Sequence, residues 1–212
     1  MSPTCGKIFI VDDDPAVGKA LTRLFDAAGY QAEVFASAHD FLKARRHVDG
    51  PCCMVLDVKM PGLGGLELQE ELIKEACALP IVFMTGYGDI PSSVRAMKHG
   101  AVTFLSKPVD DNVLIQAVQE GLTRDALRKQ GMAELEFIQN RVASLTDREH
   151  EILIYVISGL LNKQIASSLE ISEKTVKVHR GRVMNKMKAA SFAELVRMAG
   201  KAGIQPALEP EV

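Results

Sequence analysis

Two apolar runs in this chain end in acid. Ile8-Phe9-Ile10-Val11 leads into Asp12, Asp13 and Asp14, and Cys53-Met54-Val55-Leu56 leads into Asp57. Short apolar runs bounded by turn residues read as buried parallel strands, and in open α/β sheets chemistry collects where the carboxyl ends of strands meet. The two strand ends therefore crowd carboxylates at one edge. Like charges held together repel, so a cation belongs beside them. A hard divalent ion such as Mg²⁺, which takes oxygen ligands and keeps some waters, meets that need.

Up to about residue 120, short apolar runs alternate with helical periodicity, the signature of a βα repeat winding into a parallel sheet. Five strands are expected, at 7–11, 31–35, 53–57, 81–85 and 102–106. Between the first two, a helix over 16–28 turns Leu21, Leu24, Phe25 and Ala28 inward and stops at Gly29. A last helix starts near Asp110, with Val113, Leu114, Ala117, Val118 and Leu122 toward the core, and closes a first domain at 1–122. Residues 123–144 are rich in charge and Gln but keep a broken helical spacing through Ala126, Leu127, Leu135, Ile138 and Val142. They read as a helical linker, either a solvated connector or a short coiled-coil contact that Gly131 interrupts. A small all-helical domain follows at 145–204, and 205–212 reads as a disordered tail.

With 47% hydrophobic residues in 212, the chain can build ordinary cores. No apolar stretch approaches the roughly 18 residues of a membrane span, and the first residues lack a signal-peptide core. A cytoplasmic protein without membrane contact is expected. Cys5, Cys52, Cys53 and Cys77 form no CxxC pair and have no His at metal spacing, so they read as small buried hydrophobes. The net charge of −2 conceals an asymmetry, because residues 163–188 hold seven basic side chains against two acidic ones. The front of the chain leans acidic, so two parts with two tasks are indicated.

More groups join the acidic edge. Ile81-Val82-Phe83-Met84 ends in Thr85, and Phe104-Leu105-Ser106 ends in Lys107-Pro108, which adds a hydroxyl and an ammonium. If Asp57 is the nucleophile, Asp12 and Asp13 hold Mg²⁺, Lys107 pairs with an incoming phosphoryl group and Thr85 donates a hydrogen bond to it. Any one of these residues alone would pass for a cap or a solvated charge. Five at strand-end positions make a site.

Val11-Asp12-Asp13-Asp14-Pro15, Leu56-Asp57-Val58-Lys59-Met60-Pro61-Gly62, Met84-Thr85-Gly86 and Ser106-Lys107-Pro108 resemble the receiver domain of bacterial two-component response regulators over about residues 5–122. The resemblance implies a flavodoxin-like (βα)5 fold and phosphorylation of Asp57 by a sensor histidine kinase. It also implies Mg²⁺ held by Asp12, Asp13, Asp57 and the backbone carbonyl of Lys59, and a cis bond before Pro108. Thr85 and Phe104 stand at the family's paired switch positions, and the surface 101–116 at its dimer face, so a homodimer on phosphorylation is expected. Asp14 and Thr103 carry no assignment beyond capping or solvation.

In the back domain, Thr146 and Glu149 make a capping box before a helix that turns Ile152, Leu153, Val156 and Ile157 inward. A second helix over 162–169 buries Ile165, Ala166 and Leu169, and Ser172 caps a third. On that third helix Val176, Val183 and Met187 face the core while Lys174, Thr175, Lys177, Val178, His179, Arg180 and Arg182 face outward. Helix, short turn and capped basic helix is the helix-turn-helix plan. Leu145-Thr146, Arg148-Glu149, Asn162 to Ala166 and Thr175-Val176-Lys177-Val178-His179 resemble the LuxR-type DNA-binding domain, most of all in nitrogen-fixation-type regulators.

By that resemblance Lys177, Val178, Gly181 and Arg182 approach base edges, while Lys163, Thr175, His179 and Lys186 contact phosphates. Lys174 and Arg180 complete the set. Gly181 departs from the family, where a longer side chain often stands. The expected protein is therefore a phosphorylation-activated transcription factor on a two-half-site operator of double-stranded DNA, with RNA polymerase as a candidate further partner. It is not an enzyme beyond self-dephosphorylation. The rival is a haloacid-dehalogenase-type phosphohydrolase with Asp12 as nucleophile and Asp14 as acid. Pro15 is wrong for that motif, and Asp57 would have no task. A regulator worked by protein contacts without phosphorylation is a third reading.

Overall fold

A computed structural model of the chain describes residues 6–44, 49–86 and 90–207. They form two compact units that divide between Lys129 and Gln130.

In the first unit, β1 (Lys7–Val11), β2 (Gln31–Phe35), β3 (Cys52–Asp57), β4 (Ile81–Thr85) and β5 (Thr103–Ser106) make one sheet. All pairings are parallel, in the order β2-β1-β3-β4-β5. The connecting helices are α1 (Pro15–Ala27), α2 (Ala38–Ala44), α3 (Gly65–Lys74) and α4 (Ile90–Lys98), and α5 (Asp111–Ala143) follows β5. Alternation along the strands divides the core in two. Phe9, Val11, Met54 and Leu56 point to the side of α2, α3 and α4, where they meet Phe41, Leu68 and Leu72. Ile8, Ile10, Cys53 and Val55 point to the other side, where α1 and α5 bring Leu21, Phe25, Leu114 and Val118. A strand buried on both faces must be apolar throughout, which is why β3 and β4 read as continuous hydrophobic runs.

The expected strands and the first helix agree with these to within a residue. Asp14 caps α1, accepting from the Ala16 N–H at 2.8 Å, and Pro15 opens it. Gly29 leaves it at φ +84°.

The stretch 123–144, expected to be a helical linker, is helical to Ala143 but continuous with the helix that closes the first domain. One unbroken helix, α5, runs from Asp111 through Gly131 to Ala143. It is not a bare connector, because Asp125 has no exposed surface and Ile138 is 2% exposed. Asp125 accepts the Cys52 N–H at 2.9 Å at the start of β3, and Ile138 lies in the core of the second unit. Side chains packed on both sides of Gly131 hold the helix through it, and this tertiary support overrides the poor helix propensity of glycine.

The second unit adds α6 (Asp147–Ile157), α7 (Asn162–Ser168), α8 (Glu173–Met187) and α9 (Phe192–Lys201). Thr146 and Glu149 form the expected capping box, with the Thr146 N–H donating to Glu149 at 2.9 Å. Ser172 caps α8. Ile152, Leu153, Val156, Ile165, Val176, Val183 and Met187 share one core. Of the expected tail, the Ala207 N–H donates to Ser158 Oγ at 2.8 Å, and 208–212 lie outside the described residues, as does Cys5. No helix among the described residues is long and apolar enough to cross a membrane.

Candidate functional site

The parallel register brings every strand's carboxyl end to one edge. Val11 pairs with Leu56, Asp57 with Met84 and Thr85 with Ser106. The residues that terminate β1, β3, β4 and β5 are therefore neighbours. The bond between Lys107 and Pro108 is cis, as the resemblance implied, and the Lys107 N–H donates to the Thr85 carbonyl at 2.7 Å.

Lys107 is the centre of the site. Its Nζ lies 2.7 Å from Asp12 Oδ2 and 2.7 Å from Asp57 Oδ1. One ammonium thus joins two buried carboxylates from different strands. Each acid is also held by backbone: the Asp14 N–H donates to Asp12 Oδ1 at 2.9 Å, and the Lys59 N–H to Asp57 Oδ2 at 2.7 Å. Burial pushes the Asp57 carboxyl up from its ordinary value, helped by the charge of Asp12 and opposed by Lys107. Burial pulls the Lys107 ammonium down, but its bonds to Asp12 and Asp57 prevail and its pKa stands raised. Asp57 is thereby a poised carboxylate, with a cation already at the place where anionic charge can be received.

The remaining expected residues fall around this pair. Asp13 is exposed beside the site. Thr85 is buried at the end of β4. Phe104 is half-buried, its ring 5.9 Å from that of Phe83. Among the described residues no three His, Cys, Asp or Glu side chains are arranged to hold a metal. The donors at this edge are nevertheless all oxygens, a set that suits a hard divalent ion and no soft one.

Gly65 is part of the site and was not foreseen. A Cβ there would collide with the Asp57 carbonyl, so glycine lets α3 start directly against the end of β3. The Gly64-Gly65 doublet was a visible turn signal, but its target lies across the fold.

In the second unit α8 presents Lys174, Lys177, Val178 and Arg182 as exposed residues, and α7 presents Lys163. Thr175 Oγ1 is 2.8 Å from Ser172 Oγ at the cap. His179 is half-buried, with Nδ1 enclosed and without a hydrogen-bond partner among the described residues. Arg180 donates to Asn162 Oδ1 at 2.9 Å. Lys186, expected at a phosphate, points elsewhere: its Nζ is 2.6 Å from the buried carboxylate of Glu149 and 2.9 Å from the Ser144 carbonyl. A buried carboxylate needs a cation more than a solvated face does, so Lys186 serves the fold.

Comparison with known proteins agrees with both halves. Residues 8–119 match the response regulator receiver domain, and residues 143–199 match the luxR family of bacterial regulatory proteins. The chain belongs to the response regulators that couple a receiver to a LuxR-type DNA-binding domain, and it is a DNA-binding two-component regulator. It is 43% identical to nodulation protein W of Bradyrhizobium diazoefficiens, over 93% of this chain and 86% of that one. It is 44% identical to the transcriptional regulatory protein FixJ of Azorhizobium caulinodans, over 94% of each. The solved structure of the response regulator StyR superimposes with a TM-score of 0.86 at 44% identity, covering 93% of this chain and 99% of that one. The phosphohydrolase reading has no support in this family.

Proposed function

We propose that Asp57 is the phosphoacceptor of this regulator and that a sensor histidine kinase is its donor. The observation that carries this reading is the shared ammonium, Lys107 bridging Asp12 and Asp57 at the carboxyl edge of the sheet. An oxygen of Asp57 attacks phosphorus, the bond from phosphorus to the kinase imidazole nitrogen breaks, and its electron pair stays on that nitrogen. Asp12, Asp13, Asp57 and the Lys59 carbonyl are the donors that would hold Mg²⁺, which neutralises charge on the phosphoryl oxygens when bound. Lys107 transfers its hydrogen bond to a phosphoryl oxygen and Thr85 donates a second, which draws Phe104 inward with the β4 and β5 ends. Attack by water on the acyl phosphate resets the switch.

The surface 101–116 is the dimer face of this reading, and Val113 is exposed within it. Two copies then place their α8 helices on two half-sites of duplex DNA in the cytoplasm, within reach of RNA polymerase. Lys177, Val178 and Arg182 stand at the base edges. Lys163, Lys174, Thr175, His179 and Arg180 serve the backbone.

The test is mass mapping after incubation with acetyl phosphate and Mg²⁺, with sedimentation of the same sample. The label is expected on Asp57, with dimers formed, and neither effect in Asp57→Asn. Label on Asp12 overturns the assignment.

A further inference from the structure

The recognition helix carries one residue that its own fold does not explain. Gly181 lies in the interior of α8, where glycine is a poor helix former. Two other helical glycines have a visible cause, since at Gly121 a Cβ would stand 2.5 Å from Cys53 Sγ and at Gly18 it would stand 2.8 Å from Val34, whereas Gly131 and Gly200, like Gly181, have open space around the missing side chain. At Gly181 a Cβ would meet nothing within 4 Å. Nothing among the described residues needs the side chain to be missing.

Its position on the helix supplies the reason. At 100° per residue, Gly181 faces away from the buried Val176, Val183 and Met187 and falls between Lys177 and Val178. Lys174 and Asn185 lie above and below it, and all four neighbours on this face are exposed, Val178 at 48%. The face therefore has cations and a branched apolar group around a bare stretch of backbone. Such a gap is useful to a helix that must seat deeply in a groove.

We propose that Gly181 is the point of closest approach between α8 and DNA, its missing side chain letting the helix sink until Lys177 and Val178 reach base edges. This rests on the reading of this face as the one that enters the major groove. Val178 then meets a thymine methyl and Lys177 a guanine edge, while the base pair opposite Gly181 is read by no side chain there. Specificity is thereby concentrated on the pairs flanking Gly181.

The experiment starts with the full chain, acetyl phosphate and Mg²⁺, and a random duplex library of about 30 bp, long enough for two half-sites. Wild type and Gly181→Ala are then compared on the enriched duplex, on an unrelated duplex of equal length, and in thermal melting. Alanine is expected to leave the melting temperature equal or higher, and to leave affinity for the unrelated duplex unchanged. Affinity for the enriched duplex is expected to fall roughly tenfold or more. Unchanged or tighter binding to the enriched duplex overturns the inference, as does a lowered melting temperature with equal loss on both duplexes. If the wild type enriches no sequence, the reading of α8 as the DNA face fails, and this inference fails with it.

Discussion

Glu149 and Lys186 come from different helices and meet at 2.6 Å, and they do so where Glu149 also closes the capping box of α6. Lys186 holds the Glu149 carboxyl down at about 2, well below its ordinary 4.5, with the Thr146 N–H contributing. A depressed carboxyl stabilises the fold above its unfolded value and loses that contribution as pH falls through the folded one. Thermal melting of the second unit is therefore expected to weaken steadily from about pH 4.5 toward pH 2. Glu149→Gln should abolish most of that slope.

Because Lys186 serves this pair, Lys186→Ala should behave as a folding variant. Leaving Glu149 buried without its half-exposed cation costs on the order of 1–3 kcal/mol. Urea unfolding measures the loss. In filter binding at temperatures where the variant stays folded, the salt slope of DNA affinity should match the wild type, whereas Lys177→Ala should change it or the sequence preference.

Asp125 reaches from α5 to the first residue of β3, accepting the Cys52 N–H while Arg128 and Lys129 approach its two oxygens at 2.6 and 3.3 Å. It has no exposed surface, and although burial opposes its charge, Arg128, Cys52 and Lys129 hold its pKa below the ordinary value. Asp125→Ala strands a backbone donor and a guanidinium together. A loss of about 2–3 kcal/mol in the first unit is expected by urea unfolding.

Asp125 also marks the limit of what was legible. Asp12, Asp57, Thr85 and Lys107 were readable because a parallel sheet sends every strand's carboxyl end to the same edge, so four local patterns imply one place. Asp125 with Arg128 and Lys129 at i+3 and i+4 has the pattern of a solvated helix face, and its partner Cys52 is 73 residues away. Lys186 was misread for the same reason, since a cation on a basic helix gives no local sign that it faces a carboxylate on another helix. Gly131 suggested a break, but helix continuity depends on what packs on either side of it.

Gly65 offers a test of how closely the strand that ends at Asp57 is fitted. A Cβ there would meet the Asp57 carbonyl, which is backbone and cannot swing aside. Gly65→Ala should cost about 1–3 kcal/mol, typical of overpacking, and should slow labelling of Asp57 by acetyl phosphate as the end of β3 shifts. Serine at the same position should do no better.

Lys107 is both a partner of the acids and a competitor for them. In the unphosphorylated protein its ammonium lies between Asp12 and Asp57, so a divalent ion entering there must contend with a positive charge at 2.7 Å from each carboxylate. Lys107→Met removes that charge and leaves two buried carboxylates repelling each other, a condition that a cation relieves. Mg²⁺ is therefore expected to bind the variant several-fold more tightly, and to raise its melting temperature more than it raises that of the wild type. Calorimetric titration and melting with and without Mg²⁺ measure both. The phosphorylated variant, lacking the ammonium that would meet the phosphoryl group, should carry label on Asp57 yet remain monomeric. Equal or weaker Mg²⁺ binding would show that Lys107 does not compete at this edge, and a labelled variant that dimerised normally would remove it from the switch.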